Sequence, residues 1–179
     1  MTSFLELAQR RQSTRKYVNK PVPREVVDRC LEAARLAPSA CNSQPWRFIV
    51  VDRDPLRSEL AKAAFSGMYS INQFAADASV LMVVVTERSK YIARLGGGFR
   101  GIQYSLVDIG IAGEHLALQA AEEGLGTCWL GWFNEKAVKQ TLGLPRRARV
   151  DVMMCLGHAA DADTRPKDRK SLDETREYA

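Results

Sequence analysis

The sequence predicts a layered fold in which helices cover both faces of a β-sheet. Helical and strand patterns alternate along the chain, which implies sheet and helices packed in layers. Ser79–Thr86 is apolar nearly throughout, as a strand buried on both faces must be. The 179 residues are 46% hydrophobic, enough to fill the core of a single domain, residues 1–179, and to exclude a disordered chain.

Each element carries local signals. Ser3 and Glu6 have capping-box spacing and open a first helix to about Arg11. Pro23 suits the start of a second helix, Arg24 to Leu36, with Val26, Val27, Cys30, Leu31 and Ala34 as its apolar stripe. Trp46–Val51 reads as a strand. Asp54-Pro55 starts a third helix that reaches about Ala64. Ser105–Glu123 is the longest helical pattern, and Gly124 caps its end. Its small residues Gly110, Gly113, Ala117, Ala120 and Ala121 would let another element approach closely. Thr127–Trp132 and Val150–Leu156 read as strands, separated by a short helix that Asn134 caps and Gly143 ends. Arg94–Gly101, with three consecutive glycines, reads as a flexible loop, and Asp161–Arg169 as a polar, extended tail.

Composition narrows the function classes. The net charge of +5 is spread along the chain, with modest clusters at Arg10–Lys16, Arg146–Arg149 and Lys167–Lys170. A nucleic-acid adaptor would concentrate that charge and interleave it with aromatics. An anionic small molecule, such as a phosphate, fits this pattern at least as well. No run approaches the ~20 apolar residues of a membrane span, and no leader is visible at Met1–Arg10, so the expectation is a cytoplasmic protein that binds no membrane. Cys30, Cys41, Cys128 and Cys155 show no metal-ligand spacing, and with two histidines no metal site is expected. Three of these cysteines read as buried thiols, and Cys41, within a loop, as a small buried filler in preference to a redox thiol.

Three segments carry chemistry. Arg11-Gln12-Ser13-Thr14-Arg15 places two guanidiniums and two hydroxyls within five residues, a set able to hold a phosphate. It is equally a basic helix end, where cations suit the macrodipole. Ala37-Pro38-Ser39-Ala40-Cys41-Asn42-Ser43-Gln44-Pro45-Trp46 is a polar loop fenced by two prolines, with the donors and acceptors that a flat heterocycle needs. It is also an ordinary turn composition. Glu123-Gly124-Leu125-Gly126-Thr127-Cys128-Trp129-Leu130-Gly131-Trp132-Phe133 admits close backbone approach to a ligand at its glycines. A helix cap explains Gly124 fully and Gly131 poorly. Neither a dinucleotide fingerprint nor a Walker A motif is present.

In this order and spacing, the Arg-x-Ser-x-Arg start, the Ala-Pro-Ser-Ala-x-Asn-x-Gln-Pro-Trp loop and the Gly-Leu-Gly-Thr-x-Trp-x-Gly segment resemble the nitroreductase family of flavoproteins. Asp108-Ile-Gly-Ile-Ala and the late Lys167-Asp-Arg169-Lys170 add to the resemblance, which covers nearly the whole chain. It implies an α+β fold: a three-layer α/β/α sandwich with a central mixed, largely antiparallel sheet, assembled as an intertwined homodimer with FMN at the interface. By the family's pattern, Arg11, Ser13 and Arg15, with Gln12 among them, reach the phosphate and ribityl chain. Arg169 closes on the phosphate, helped by Lys167 or Lys170. Pro38, Ser39, Ala40, Asn42 and Gln44 form the second contact loop, given by the other subunit. The backbone of Leu130, Gly131 and Trp132 lies along the flavin.

The resemblance further implies a ping-pong oxidoreductase passing hydride from NADH or NADPH to nitroaromatic or quinone-type acceptors. The flavin carries the redox chemistry and the protein orients it, so no catalytic side chain is expected. Glu114 and His115 read as structural or solvent-facing. A non-catalytic FMN-binding or sensing module, and a specialised dehalogenase or oxidase, are the alternatives. The segment from Glu87 to about Tyr104 is short for the family, which implies an open pocket or one gated by Gly96–Gly98.

Overall fold

The computed structural model describes residues 3–87, 102–161 and 164–179. The Gly96–Gly98 loop lies outside them. The elements are α1 (Phe4–Arg10), α2 (Arg24–Arg35), β1 (Trp46–Val51), α3 (Leu56–Ala64), β2 (Val80–Thr86), α4 (Tyr104–Glu122), β3 (Gly126–Leu130), α5 (Glu135–Thr141), β4 (Arg149–Gly157) and α6 (Leu172–Thr175). Two 3-10 segments, Ala40–Asn42 and Gly67–Asp77, complete the path.

The strands form one sheet in the order β1-β2-β4-β3, with every pairing antiparallel. Alternation along β2 shows why its sequence is continuously apolar. Leu81, Val83 and Val85 enter one core with α3 and α5; Val80 and Met82 enter the other with α2 and α4. A bulge between Val84 and Val85 gives β4 one extra residue, Asp151. The bulge reverses the face parity, so Val150 shares a core with Met153 and Cys155. Thr86 and Arg149 both donate to the Asp151 carboxylate, at 2.5 and 2.7 Å, which satisfies the group the bulge turns outward.

The small-residue stripe of α4 serves this chain itself. Ala112, Ala117 and Ala120 pack with Cys30 and Ala34 of α2. Gly113 lies beneath Trp129, whose ring would stand 2.1 Å from an added Cβ. Most of the stripe is therefore spent inside the subunit, while Gly110 is exposed with open space over its Cα. Gly124, at φ +74°, ends α4 in the left-handed turn expected of it.

After α1 the chain runs extended beside β3. Ser13 bridges Thr127 in parallel, Thr14 N–H donates to Thr127 O at 2.9 Å, and Tyr17 bridges Ala159. This isolated bridge is the one parallel pairing among the described residues, so the expected mixed sheet is a four-stranded antiparallel sheet with a parallel fringe. Thr14 is 6% exposed and packs directly on Gly126. No helix among the described residues is long and apolar enough to cross a membrane.

Candidate functional site

The docking of residues 11–17 against β3 sets the geometry of the first candidate segment. At its start, Arg11 has a 19% exposed side chain, and its Nε lies 3.0 Å from Glu114 Oε1 of α4. The Arg11 carbonyl accepts the Lys167 ammonium. Arg165 donates from its backbone N–H and from Nε to Gln12 Oε1, both at 3.2 Å, and from Nη2 to Ser13 O at 2.6 Å. The tail therefore lies across the start of the chain, fastened by residues more than 150 positions away in sequence.

The electrostatics reflect this convergence. Partial burial, then the charges of Arg11 and Arg169, hold the Lys167 ammonium below its ordinary pKa; Arg165 adds to this and Glu114 opposes it. Three guanidiniums thus act on the Lys167 ammonium and one carboxylate, Glu114, opposes them, an excess of positive charge at this point that an anion would balance. Arg15 is exposed and acts at Cys128, where its charge and a hydrogen bond from Ser13 oppose the rise that burial imposes on the thiol. Lys170 is exposed and enters no interaction among the described residues. A hollow of about 330 Å³ opens alongside, bounded by Gln12, Thr14, Gly126, Thr127, His158 and Asp161.

The second segment, the loop after α2, is shaped by strain and one buried carboxylate. Cys41, Asn42 and Gln44 all take positive φ, at 53°, 52° and 45°. Side chains rarely hold that conformation without external support. Asp108, 3% exposed near the start of α4, supplies the support. It accepts the Ala40 N–H at 3.0 Å and the Ser43 hydroxyl at 3.4 Å. Ser39 Oγ accepts the Gln44 N–H at 2.9 Å, and Gln44 Nε2 donates to Asn42 Oδ1 at 3.0 Å. Pro38 is exposed at the loop's entry. Cys41 is exposed as well, not the buried filler expected, because the left-handed turn points it away from the core. Cys30, Cys128 and Cys155 are buried free thiols, and burial pushes Cys30 and Cys155 up to about 12.

Asp108→Ala is expected to lower stability by about 2 kcal/mol, since it strands the part-buried Ala40 N–H and releases a strained turn. Urea unfolding checks this; a loss below about 0.5 kcal/mol, the scale of an ordinary surface change, would show that the turn holds itself.

The third segment ends β3. Leu130 is fully buried, whereas Gly131 is exposed and Trp132 is 52% exposed. Trp132 is tied to the 3-10 segment Gly67–Asp77: its indole N–H donates to Met68 O at 3.0 Å, and its carbonyl accepts Asn72 Nδ2 at 2.9 Å. Tyr69 packs on its ring at 5.3 Å between centroids. The Thr127 level of β3, where Ser13 docks, and Gly131 lie about 13 Å apart at ~3.3 Å per residue. One strand therefore runs from the cation cluster to this aromatic shelf.

Sequence reasoning missed Arg165, Glu114 as the partner of Arg11, Asp108 as the loop's anchor, and the Met68–Asn72 shelf. His115 is exposed, with Nδ1 2.9 Å from Ile111 O, consistent with a structural reading.

The fold and this geometry define a class: an α+β protein with a cationic cleft beside a strand and a polar loop held in positive-φ turns after α2. Residues 8–158 match the nitroreductase family model, and the chain belongs to that family. A Thermus thermophilus relative named NADH dehydrogenase is 30% identical, over 86% of this chain and 85% of its own length. A Bacillus subtilis relative named FMN reductase [NAD(P)H] is 27% identical, over 84% of this chain and 63% of its own. The crystal structure of a nitroreductase family protein from Clostridium difficile superposes with a TM-score of 0.81, at 29% identity and 98% coverage of both chains.

Proposed function

We propose that this chain is an FMN-dependent oxidoreductase that takes hydride from NADH or NADPH and reduces nitroaromatic or quinone-type acceptors by a ping-pong route. The observation that carries the reading is the convergence of Arg11, Arg165 and Arg169 on Lys167, with Glu114 as the carboxylate that opposes them there. A phosphate monoester supplies the charge that cluster lacks. The donor set fits the remainder of FMN too. Asn42 Nδ2 and Gln44 Oε1 have no partner among the described residues, and Gly131 has open space over its Cα. The names of the relatives support the same cofactor and reductant.

When bound, FMN supplies the hydride acceptor and donor of the two half-reactions. The protein's own residues divide the remaining work. Arg11, Lys167 and Arg169 hold the phosphate, with Ser13 beside them and Gln12 fixed by Arg165. Arg15 lies further along the same extended segment, toward the ribityl chain. Ser39, Ala40, Asn42 and Gln44 present the rigid loop to the ring, with Pro38 at its entry. Leu130, Gly131 and Trp132 bring backbone close to the ring, and the Trp132–Tyr69 shelf borders the space for nicotinamide or acceptor.

The reading includes a single domain over residues 1–179, a three-layer arrangement and a homodimer in which the loop of one subunit serves the cations of the other. Apolar side chains left in solvent support the dimer, among them Phe4 (69% exposed), Val107 (53%) and Ile71 (76%). Steady-state rates at varied NADH and quinone test the ping-pong scheme: parallel double-reciprocal lines are expected, and lines that intersect contradict it. Light scattering tests the assembly, with the mass of two chains expected and a monomer that retains FMN contradicting it.

A further inference from the structure

Resting on that reading, we infer that Arg165 is a positioning residue for the phosphate site: it fastens the tail to the start of the chain and so sets where Lys167 stands. Three of its donors are engaged there. Its backbone N–H and its Nε both donate to Gln12 Oε1 at 3.2 Å, and its Nη2 donates to Ser13 O at 2.6 Å. Two residues on, the Lys167 ammonium reaches the Arg11 carbonyl. The tail therefore crosses residues 11–13 in the opposite chain sense, with Arg165 against Gln12 and Ser13 and Lys167 against Arg11. Pro166 separates the two cations. Its ring fixes its own φ and biases the residue before it toward extended backbone. Arg165-Pro166-Lys167 is thus a stiff unit, and a restraint at Arg165 is felt at Lys167.

The Lys167 ammonium needs that restraint. Partial burial and the charges of Arg11 and Arg169 act against it, with Glu114 in partial compensation. Arg169 does not hold the tail down through its Nη1, which donates to the neighbouring Asp168 O at 2.6 Å. Arg165 draws the tail down through uncharged acceptors, an amide oxygen and a carbonyl oxygen. Its own charge opposes Lys167 more weakly than those of Arg11 and Arg169 do. Arg165 is exposed, so each of its bonds competes with water. One planar guanidinium and its own backbone N–H act together on two adjacent residues, which is what fixes a direction. With these donors spent on the chain, Arg165 acts on the ligand through Lys167.

The test titrates the apo-protein with FMN and with riboflavin, which lacks the phosphate, in Arg165→Ala, Arg165→Lys, Lys167→Ala and the double variant Arg165→Ala/Lys167→Ala. Arg165→Ala is expected to weaken FMN about tenfold, the scale of one charge-assisted contact, and to leave riboflavin unchanged. In the Lys167→Ala background the same change is expected to cost much less, because the residue it positions is gone. Arg165→Lys keeps the charge without the fork that spans Gln12 and Ser13, and is expected to stay closer to the alanine variant than to wild type. Wild-type FMN affinity in Arg165→Ala overturns the inference, and so does an equal loss of riboflavin. Two full, additive losses in the double variant overturn it, because they make Arg165 an independent contact. Full recovery in Arg165→Lys overturns it as well, because it assigns the effect to charge. If Lys167→Ala weakens FMN while Arg165→Ala does not, only the positioning role falls. If Lys167→Ala leaves FMN affinity intact, or the protein takes up neither FMN nor riboflavin, the phosphate site falls with it.

Discussion

Replacing Arg11 and Lys167 together by alanine is expected to cost this protein at least about a hundredfold in FMN affinity. Each contact of a phosphate with a cation contributes about 1.5–3 kcal/mol, and two lost contacts exceed the ~2.8 kcal/mol that a hundredfold requires. The pair is chosen because Lys167 ties its ammonium to the Arg11 carbonyl, and each side chain feels the other's charge. Fluorescence titration of the apo-protein gives the affinity, and riboflavin is the control. Riboflavin binding should change little, because the loop and the strand end that face the ring are untouched. An FMN affinity within threefold of wild type would remove both residues from the phosphate site. Loss of riboflavin to the same degree would point to damage of the fold instead.

Gly126→Ala is expected to lower stability by about 2–3 kcal/mol, at the upper end of overpacking costs. The added Cβ would stand 2.3 Å from Thr14 Oγ1, 2.7 Å from its Cβ and 2.8 Å from its Cγ2. Thr14 has nowhere to retreat, because its N–H is bonded to Thr127 O and the residue is 6% exposed. Relief requires the extended segment to lift from β3, and Arg11 and Ser13 move with it. Stability and FMN affinity should therefore fall together. Thr14→Ala in the same background removes two of the three close contacts and should restore part of both, a non-additive rescue. Urea unfolding and FMN titration of the single and double variants measure it. A Gly126→Ala protein of wild-type stability would show that the segment is not seated as described.

The elements that local chemistry announces were legible in the sequence. Ser3 with Glu6, Pro23, Asp54, Gly124 and Asn134 mark the ends of α1 to α5 because caps and turns act within a few residues. The 3-10 segment Gly67–Asp77 was not legible. Its tighter turn gives no 3.6-residue pattern. Partners distant in sequence hold it: Arg57 donates to the carbonyls of Ala76 and Ala78, and Trp132 to that of Met68. Helix α6 was missed differently, for Ser171 and Glu174 form a capping box that four residues of helix scarcely extend.

The candidate site divides in the same way. The segment at Arg11, the loop at Ser39 and the cations at Lys167 stand out as motifs. The pairings that make them a site do not, since Asp108 meets Ala40 across 68 positions and Arg165 meets Gln12 across 153. The stripe of small residues on α4 shows the opposite hazard. Ala117 and Ala120 signal close packing, but periodicity cannot say whether the neighbour is α2 of the same chain or another subunit.

The most direct measurement is the anaerobic visible spectrum of the purified protein, before and after NADH and then NADPH, followed by a quinone or nitroaromatic. The predicted result is a flavin spectrum that bleaches with at least one reductant and recovers on adding the acceptor. A flavin spectrum that neither reductant bleaches would contradict the oxidoreductase and leave a binding module. A colourless protein that takes up no added FMN would contradict the cofactor itself.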